Sequence, residues 1–152
     1  MADSKGTFET LQSLIQTCRN GETGYMHAAA KTKDPELKSF FDQQSRERSR
    51  FAVELTDAAG KLGKVEPRRK GTVAGVLHRA WFEMKADFGG GDQGILRSVQ
   101  TGEARAKSAY EQALASSLSP DALALVSRQH ENVKAAHDRV RSWGSKPIAR
   151  SA

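Results

Sequence analysis

Apolar residues recur at intervals of three and four along four long segments of this chain, which is the spacing of amphipathic helices. The four stripes cover residues 8–29, 37–62, 96–114 and 123–143. Alternation of apolar and polar residues, the pattern typical of a half-buried strand, does not occur in the sequence. The spacing therefore predicts an all-α protein.

Two turns divide the long segments into pairs. Asp34-Pro35 and Ser119-Pro120 each place a capping residue before a proline, and proline suits the first position of a helix. Short turns of this kind make the joined helices antiparallel, so each pair is expected to form a helical hairpin. Gly144 is expected to end the last helix.

The connection between the two pairs is long and contains a further amphipathic segment at residues 73–88. A long crossover can return the chain along the axis of a bundle. We therefore predict a ferritin-like four-helix bundle of two antiparallel hairpins, joined by a crossover that contains a short amphipathic helix. One domain is expected over residues 1–143, and residues 144–152 are expected to form a disordered basic tail.

Composition favours a soluble cytoplasmic protein. Of the 152 residues, 38% are hydrophobic and 28% are charged, and the apolar runs are too short for a membrane span. A single cysteine, Cys18, fits a reducing compartment. The formal charge of +6 is concentrated partly at Arg68, Arg69 and Lys70. Aromatic residues are not interleaved with this basic segment, so nucleic-acid binding is disfavoured.

Six polar residues fall within the apolar stripes, one or more on each long helix. They are Glu22, Gln44, Arg48, Glu103, Gln129 and His137. Residues equally far from a hairpin turn lie at the same level, so these six are expected to form one buried polar layer. Three matches suggest an internal repeat: Gly21-Glu22 with Gly102-Glu103, Asp34-Pro35 with Ser119-Pro120, and Gln44 with Gln129.

A buried carboxylate needs a partner, and two kinds are open to this layer. The first is hydrogen bonding, with Glu22 paired to Arg48 and Glu103 bonded to Gln129 or reached by His137. The second is iron or manganese held by Glu22, Glu103 and His137. Di-iron bundles use a Glu-x-x-His motif on two helices, and the second and fourth stripes lack it. Hydrogen bonding is therefore favoured, and no cofactor is expected.

The segments LIQTCRNGETGYMHAA, DPELKSFF, VLHRAW, TGEARAKSAYEQAL and AAHDRV together resemble a bacterial family of ferritin-like four-helix-bundle proteins catalogued as a domain of unknown function. The resemblance implies the ferritin-like fold and a bacterial cytosolic setting, and it supplies no activity. A role in stress physiology would be an analogy from the fold.

Two hypotheses for the function follow from these observations. The first is a non-enzymatic structural or interaction protein that forms a homo-oligomer and does not contact membranes. The second is a metal-carboxylate protein that uses Glu22 and Glu103. A P-loop, a dinucleotide fingerprint and a Ser-His-Asp spacing are absent from the sequence, so the sequence does not favour an enzyme of those classes.

Overall fold

The structure is a computed structural model, and it describes residues 4–63 and 91–144. Within these ranges the chain forms four helices and no strand, which confirms the all-α prediction. The helices are α1 (Ser4–Lys31), α2 (Pro35–Gly60), α3 (Gly91–Ala115) and α4 (Pro120–Gly144). The predicted crossover helix at 73–88, the basic segment at 68–70 and residues 145–152 of the predicted tail lie outside the described residues. Gly144, assigned to that tail, is the last residue of α4.

The turn between α1 and α2 is capped as the sequence predicts. Asp34 has extended backbone angles, and its carboxylate accepts hydrogen bonds from the amides of Glu36 at 2.9 Å and Leu37 at 3.1 Å. Pro35 takes the first helical position, where a missing amide hydrogen costs nothing. The cap and the proline therefore fix the start of α2.

The helices pack as two hairpins. α1 packs mainly against α2, and α3 against α4; α1 also packs against α3, whereas α2 and α4 touch only slightly. Within the described ranges, no helix has an apolar stretch long enough to cross a membrane.

The buried apolar residues form two clusters, and all four helices contribute to each. The Phe51 cluster contains Leu11, Leu14, Cys18, Phe51, Ala52, Leu55, Ala59, Ala106, Tyr110, Ala113, Leu118, Ala122, Val126 and Val133. The Phe41 cluster contains Tyr25, Ala28, Ala29, Leu37, Phe40, Phe41, Ile95, Leu96, Val99, Ala136 and Val140.

In two of the predicted core stripes, one position is taken by the preceding residue. Leu123 is 43% exposed, and the neighbouring Ala122 is buried in its place. Ile15 is half-buried, while Leu14 is fully buried. Adjacent residues point about 100° apart around a helix, and at these two positions the preceding residue faces the core more directly.

Gly21 is buried in an unbroken part of α1. A Cβ atom built on Gly21 would lie 3.4 Å from Nη1 of Arg48 and 3.5 Å from its Cγ. The glycine therefore lies directly against the stem of the Arg48 side chain from α2. At these distances a Cβ atom would be in ordinary contact with Arg48, so the position has room for alanine.

Substitutions at Gly21 are expected to have opposite effects according to size. Gly21→Ala should raise the free energy of unfolding by about 0.5–1 kcal/mol, because alanine favours the helix and its Cβ would make ordinary contacts. Gly21→Leu should lower it by about 1–3 kcal/mol, because the larger side chain would displace Arg48. Urea denaturation followed by circular dichroism measures both; a Gly21→Ala chain less stable than the parent would contradict the geometry.

A single offset of 85 residues relates the two hairpins. Adding 85 moves α1 onto residues 89–116 and α2 onto residues 120–145, which are close to the bounds of α3 and α4. Buried residues then fall on buried residues in the following pairs: Leu11 and Leu96, Leu14 and Val99, Cys18 and Glu103, Tyr25 and Tyr110, Leu37 and Ala122, Phe41 and Val126, Arg48 and Val133, Phe51 and Ala136, Leu55 and Val140.

This offset agrees with the predicted matches of Asp34-Pro35 with Ser119-Pro120 and of Gln44 with Gln129, but not with the third match. Gly21-Glu22 and Gly102-Glu103 are 81 residues apart, so aligning them shifts the helices by about one turn. In the register that matches burial, the counterpart of Glu103 is Cys18.

Each hairpin turn is held by the first turn of the other hairpin. The Asp92 carboxylate, at the start of α3, accepts hydrogen bonds from the amides of Lys33 at 2.9 Å and Asp34 at 2.8 Å. The Thr7 hydroxyl, near the start of α1, accepts one from the amide of Ser119 at 3.2 Å. We call these hydrogen bonds between a hairpin turn and the other hairpin the turn ties. Thr7 and Asp92 are also 85 residues apart, so the two ties are counterparts.

Candidate functional site

A buried ion pair links the two hairpins. Nη2 of Arg48 lies 2.7 Å from Oε2 of Glu103, and the side chains are 1% and 0% exposed. Arg48 belongs to α2, which packs mainly against α1, so its long side chain reaches beyond its main packing partner to α3. Along α2, Arg48 lies between Phe41 and Phe51, the residues that name the two apolar clusters. The pair therefore lies where the two parts of the core meet.

Both members of this pair interact with Tyr25. Burial opposes the charge of Arg48, but the adjacent Glu103 carboxylate raises the pKa of the guanidinium above its ordinary value, so it stays charged. Burial raises the pKa of the Tyr25 hydroxyl well above its ordinary value, and the charge of Glu103 raises it further. The guanidinium also lies over the Tyr25 ring, 5.6 Å from its centroid. Opposite charges and an aromatic face thus replace the water that both ions lost.

A second polar group joins all four helices inside the Phe51 cluster. The Cys18 sulfur lies 3.1 Å from the Tyr110 hydroxyl, which donates to Oε1 of Gln129 at 2.7 Å. Nε2 of Gln129 donates to the carbonyl of Phe51 at 3.3 Å and to Oε1 of Glu54 at 3.0 Å. Because these groups hydrogen-bond one another, they connect the four helices to each other.

The cysteine and tyrosine of this group stay neutral near neutral pH. Burial raises the pKa of the Cys18 thiol to about 11, although the Tyr110 hydroxyl acts in the opposite direction. Burial also raises the pKa of Tyr110 well above its ordinary value, and the neighbouring Cys18 adds to the shift. A buried neutral thiol is a poor nucleophile, so Cys18 is a core residue.

The stability of the chain is expected to fall as the pH rises from about 9 to about 11. The native thiol holds its proton more tightly than the unfolded thiol, so ionisation in this window favours unfolding. Replacing Cys18 with alanine should make the decline shallower, and urea denaturation at several pH values measures it. In the native chain, thiol reagents should label Cys18 only slowly near neutral pH. Equal pH slopes for the two chains would contradict the shift.

The structure buries only part of the predicted polar layer. Arg48, Glu103 and Gln129 are fully buried, whereas Glu22, Gln44 and His137 are partly exposed. The Glu22 side chain is 24% exposed and bonds Arg19 at 2.9 Å, so it does not pair with Arg48 as the sequence analysis expected. The reason is the helical step: Gly21 faces the core, and its neighbour points away from it.

The expected partners of Glu103 also differ. Glu103 bonds Arg48, whereas the sequence analysis expected Gln129 or His137. Gln129 instead bonds Tyr110, and His137 lies 3.5 Å from Asp138 beside it in the sequence.

Sequence reasoning missed the hydroxyls of Tyr25 and Tyr110, which it assigned to apolar stripes. Their 85-residue spacing, shared with the two proline turns, was the available signal.

The two glutamates that the sequence offered as ligands for iron or manganese each pair with an arginine. Glu22 bonds a surface arginine, and Glu103 is already neutralised by a guanidinium at 2.7 Å. A cation in that position repels a second cation and occupies an oxygen that a metal would need. Over residues 4–63 and 91–144, groups of three histidine, cysteine or acidic side chains placed to hold a metal ion are not found.

A groove of about 680 Å³ lies between α2 and α4, where these helices touch only slightly. Phe40 and Gln44 of α2 and Arg139 of α4 are among the residues that line it. Gln44 is the counterpart of Gln129, so the same amide closes the core in one hairpin and lines an open groove in the other.

Comparison with models of known protein families gives a match. Residues 6–116 match the family described as Domain of unknown function (DUF2383). The chain belongs to this family. The DUF2383 match includes both Arg48 and Glu103, whereas Gln129 lies beyond its end. Curated proteins show no match to the sequence.

Proposed function

We propose that this DUF2383 chain is a ferritin-like four-helix bundle that acts as a non-enzymatic structural or interaction protein. The observation that carries the proposal is the ion pair between Arg48 and Glu103, buried at 2.7 Å. Arginine stays protonated at physiological pH, so the carboxylate is permanently neutralised. The two buried charges therefore serve to join α2 to α3.

The second polar group supports the same role. Tyr110 and Gln129 satisfy each other and the backbone, and the thiol of Cys18 is neutral near neutral pH. These side chains join the helices through hydrogen bonds, which suits a protein whose task is to present a stable surface. We further propose that the chain works in the bacterial cytoplasm as a homo-oligomer, and sedimentation analysis would measure its mass.

Metal analysis tests the proposal most directly. The protein should be purified without chelators or affinity tags and examined by elemental mass spectrometry. We expect transition metal far below one ion per chain, and no heat of binding when Fe²⁺ or Mn²⁺ is added. One or two ions per chain, bound through Glu22, Glu103 or His137, would overturn the proposal in favour of a metal-carboxylate protein.

Matched variants of the two glutamates sharpen the test. Glu22→Gln should change stability little, because the bond of Glu22 to Arg19 is a partly exposed surface pair. Glu103→Gln should destabilise the chain strongly, because it leaves Arg48 buried without a carboxylate. A metal site would instead make the two variants alike, since both would lose bound metal.

A further inference from the structure

We propose that the Arg48–Glu103 pair selects which hairpins assemble: it joins the first hairpin (α1 and α2) to the second (α3 and α4) and rejects the pairing of two like hairpins from different chains. This selection goes beyond the proposed structural role, because it assigns a specificity to two buried side chains.

The two hairpins are similar enough for like pairing to compete. Their helices have nearly the same bounds after the 85-residue shift, and many of their buried positions coincide. The turn ties are interchangeable as well. Thr7 accepts the amide of Ser119, and its counterpart Asp92 accepts the amide of Asp34. In a pair of first hairpins, Thr7 would meet the Asp34 amide of the other copy. Neither the helix bounds nor the turns would therefore exclude like pairing.

The charged pair does exclude it, because its members have apolar or neutral counterparts. The counterpart of Glu103 is Cys18, and the counterpart of Arg48 is Val133. Two first hairpins would place each Arg48 against a neutral thiol. Two second hairpins would place each Glu103 against a valine. Each like pairing would bury two uncompensated charges, and such burial is strongly unfavourable.

Other polar contacts between the hairpins discriminate less. Arg128 bonds Glu54 at 2.8 Å, but both side chains are substantially exposed and solvent screens them. Gln129 has a glutamine counterpart, Gln44, so this amide is available in either hairpin. The buried pair is thus the contact in which a wrong partner is penalised most, which is how a specific interface rejects competitors.

Reciprocal charge variants test the selection in the full-length chain. Arg48→Glu places two carboxylates together within one chain, and Glu103→Arg places two guanidinium groups together. Each variant alone should refold poorly. In an equal mixture, hairpins exchanged between the two chains restore both opposite-charge pairs. Co-refolding should then give about tenfold more helical protein than either variant alone, as a complex containing one copy of each. Circular dichroism and native mass spectrometry measure the two quantities.

Two control chains complete the experiment. The doubly exchanged chain, Arg48→Glu/Glu103→Arg, should refold alone, because it keeps one opposite-charge pair. The apolar chain, Arg48→Met/Glu103→Leu, should fold but lose selectivity, and refolding at high concentration should give about tenfold more dimer joined through like hairpins than the parent chain gives. The proposal is overturned if the mixture gives no more folded protein than its components. It is also overturned if the apolar chain refolds to the same single species as the parent.

Discussion

Replacing Arg48 with methionine is expected to lower the free energy of unfolding by about 3–5 kcal/mol. Methionine fills much of the same volume, so the main change is electrostatic. Glu103, which is fully buried, would lose the cation 2.7 Å away in a core that offers little solvation. Urea denaturation at neutral pH, followed by circular dichroism, measures the loss.

Two further chains separate charge from packing in this prediction. Arg50→Met removes an arginine from the same helix whose side chain is 66% exposed and paired with Glu47 at 2.7 Å; its effect should stay within about 1 kcal/mol. Arg48→Met/Glu103→Leu removes both buried charges and should recover most of the stability, because a buried ion pair contributes little net free energy. A loss below about 1 kcal/mol for Arg48→Met alone would show that Glu103 finds another partner.

Replacing Asp92 with alanine is expected to lower the free energy of unfolding by about 2–3 kcal/mol. The two carboxylate oxygens accept the amides of Lys33 and Asp34, and bonds to a charged acceptor are stronger than neutral ones. Because this end of the molecule is partly exposed, water will replace some of what is lost. Asp92→Asn keeps one good acceptor and should lose about half as much.

Thr7 provides the matched comparison, because it makes the corresponding tie at the other turn. Thr7→Val removes one neutral hydrogen bond of 3.2 Å and should cost about 1 kcal/mol. Amide exchange measured by nuclear magnetic resonance adds a local readout. In the Asp92→Ala chain, the amides of Lys33 and Asp34 should exchange faster, and the amide of Ser119 should change less. Unchanged exchange at all three amides would contradict the tie.

The sequence predicted the helices well because the residues that start them act on the backbone next to them. Asp34-Pro35 and Ser119-Pro120 are chemical signals that act on their own backbone, and α2 and α4 begin at the two prolines. Capping and ring geometry depend on neighbours in sequence, so no knowledge of packing is needed to read them.

The polar site was predicted less well because it depends on rotation and on register between helices. Glu22 and Gly21 are adjacent, and a rotation of about 100° decides which of them faces Arg48. The partner of Arg48 lies on α3, which is far away in sequence, and a long side chain can reach several levels of the core. Tyr25 and Tyr110 were hidden because an aromatic ring fits an apolar stripe while its hydroxyl extends the polar network.

The crosswise ties at the two turns have a consequence for how the molecule comes apart. Asp92 closes the turn of the first hairpin, and Thr7 closes the turn of the second. If one hairpin detaches, the other loses both its apolar contacts and the bond that finishes its own turn. A molecule with one hairpin detached therefore loses both kinds of contact at once, and it is less stable than the loss of the apolar contacts alone would make it. Loss of structure in the described helices should be concerted, leaving proteases few partly open forms to cleave.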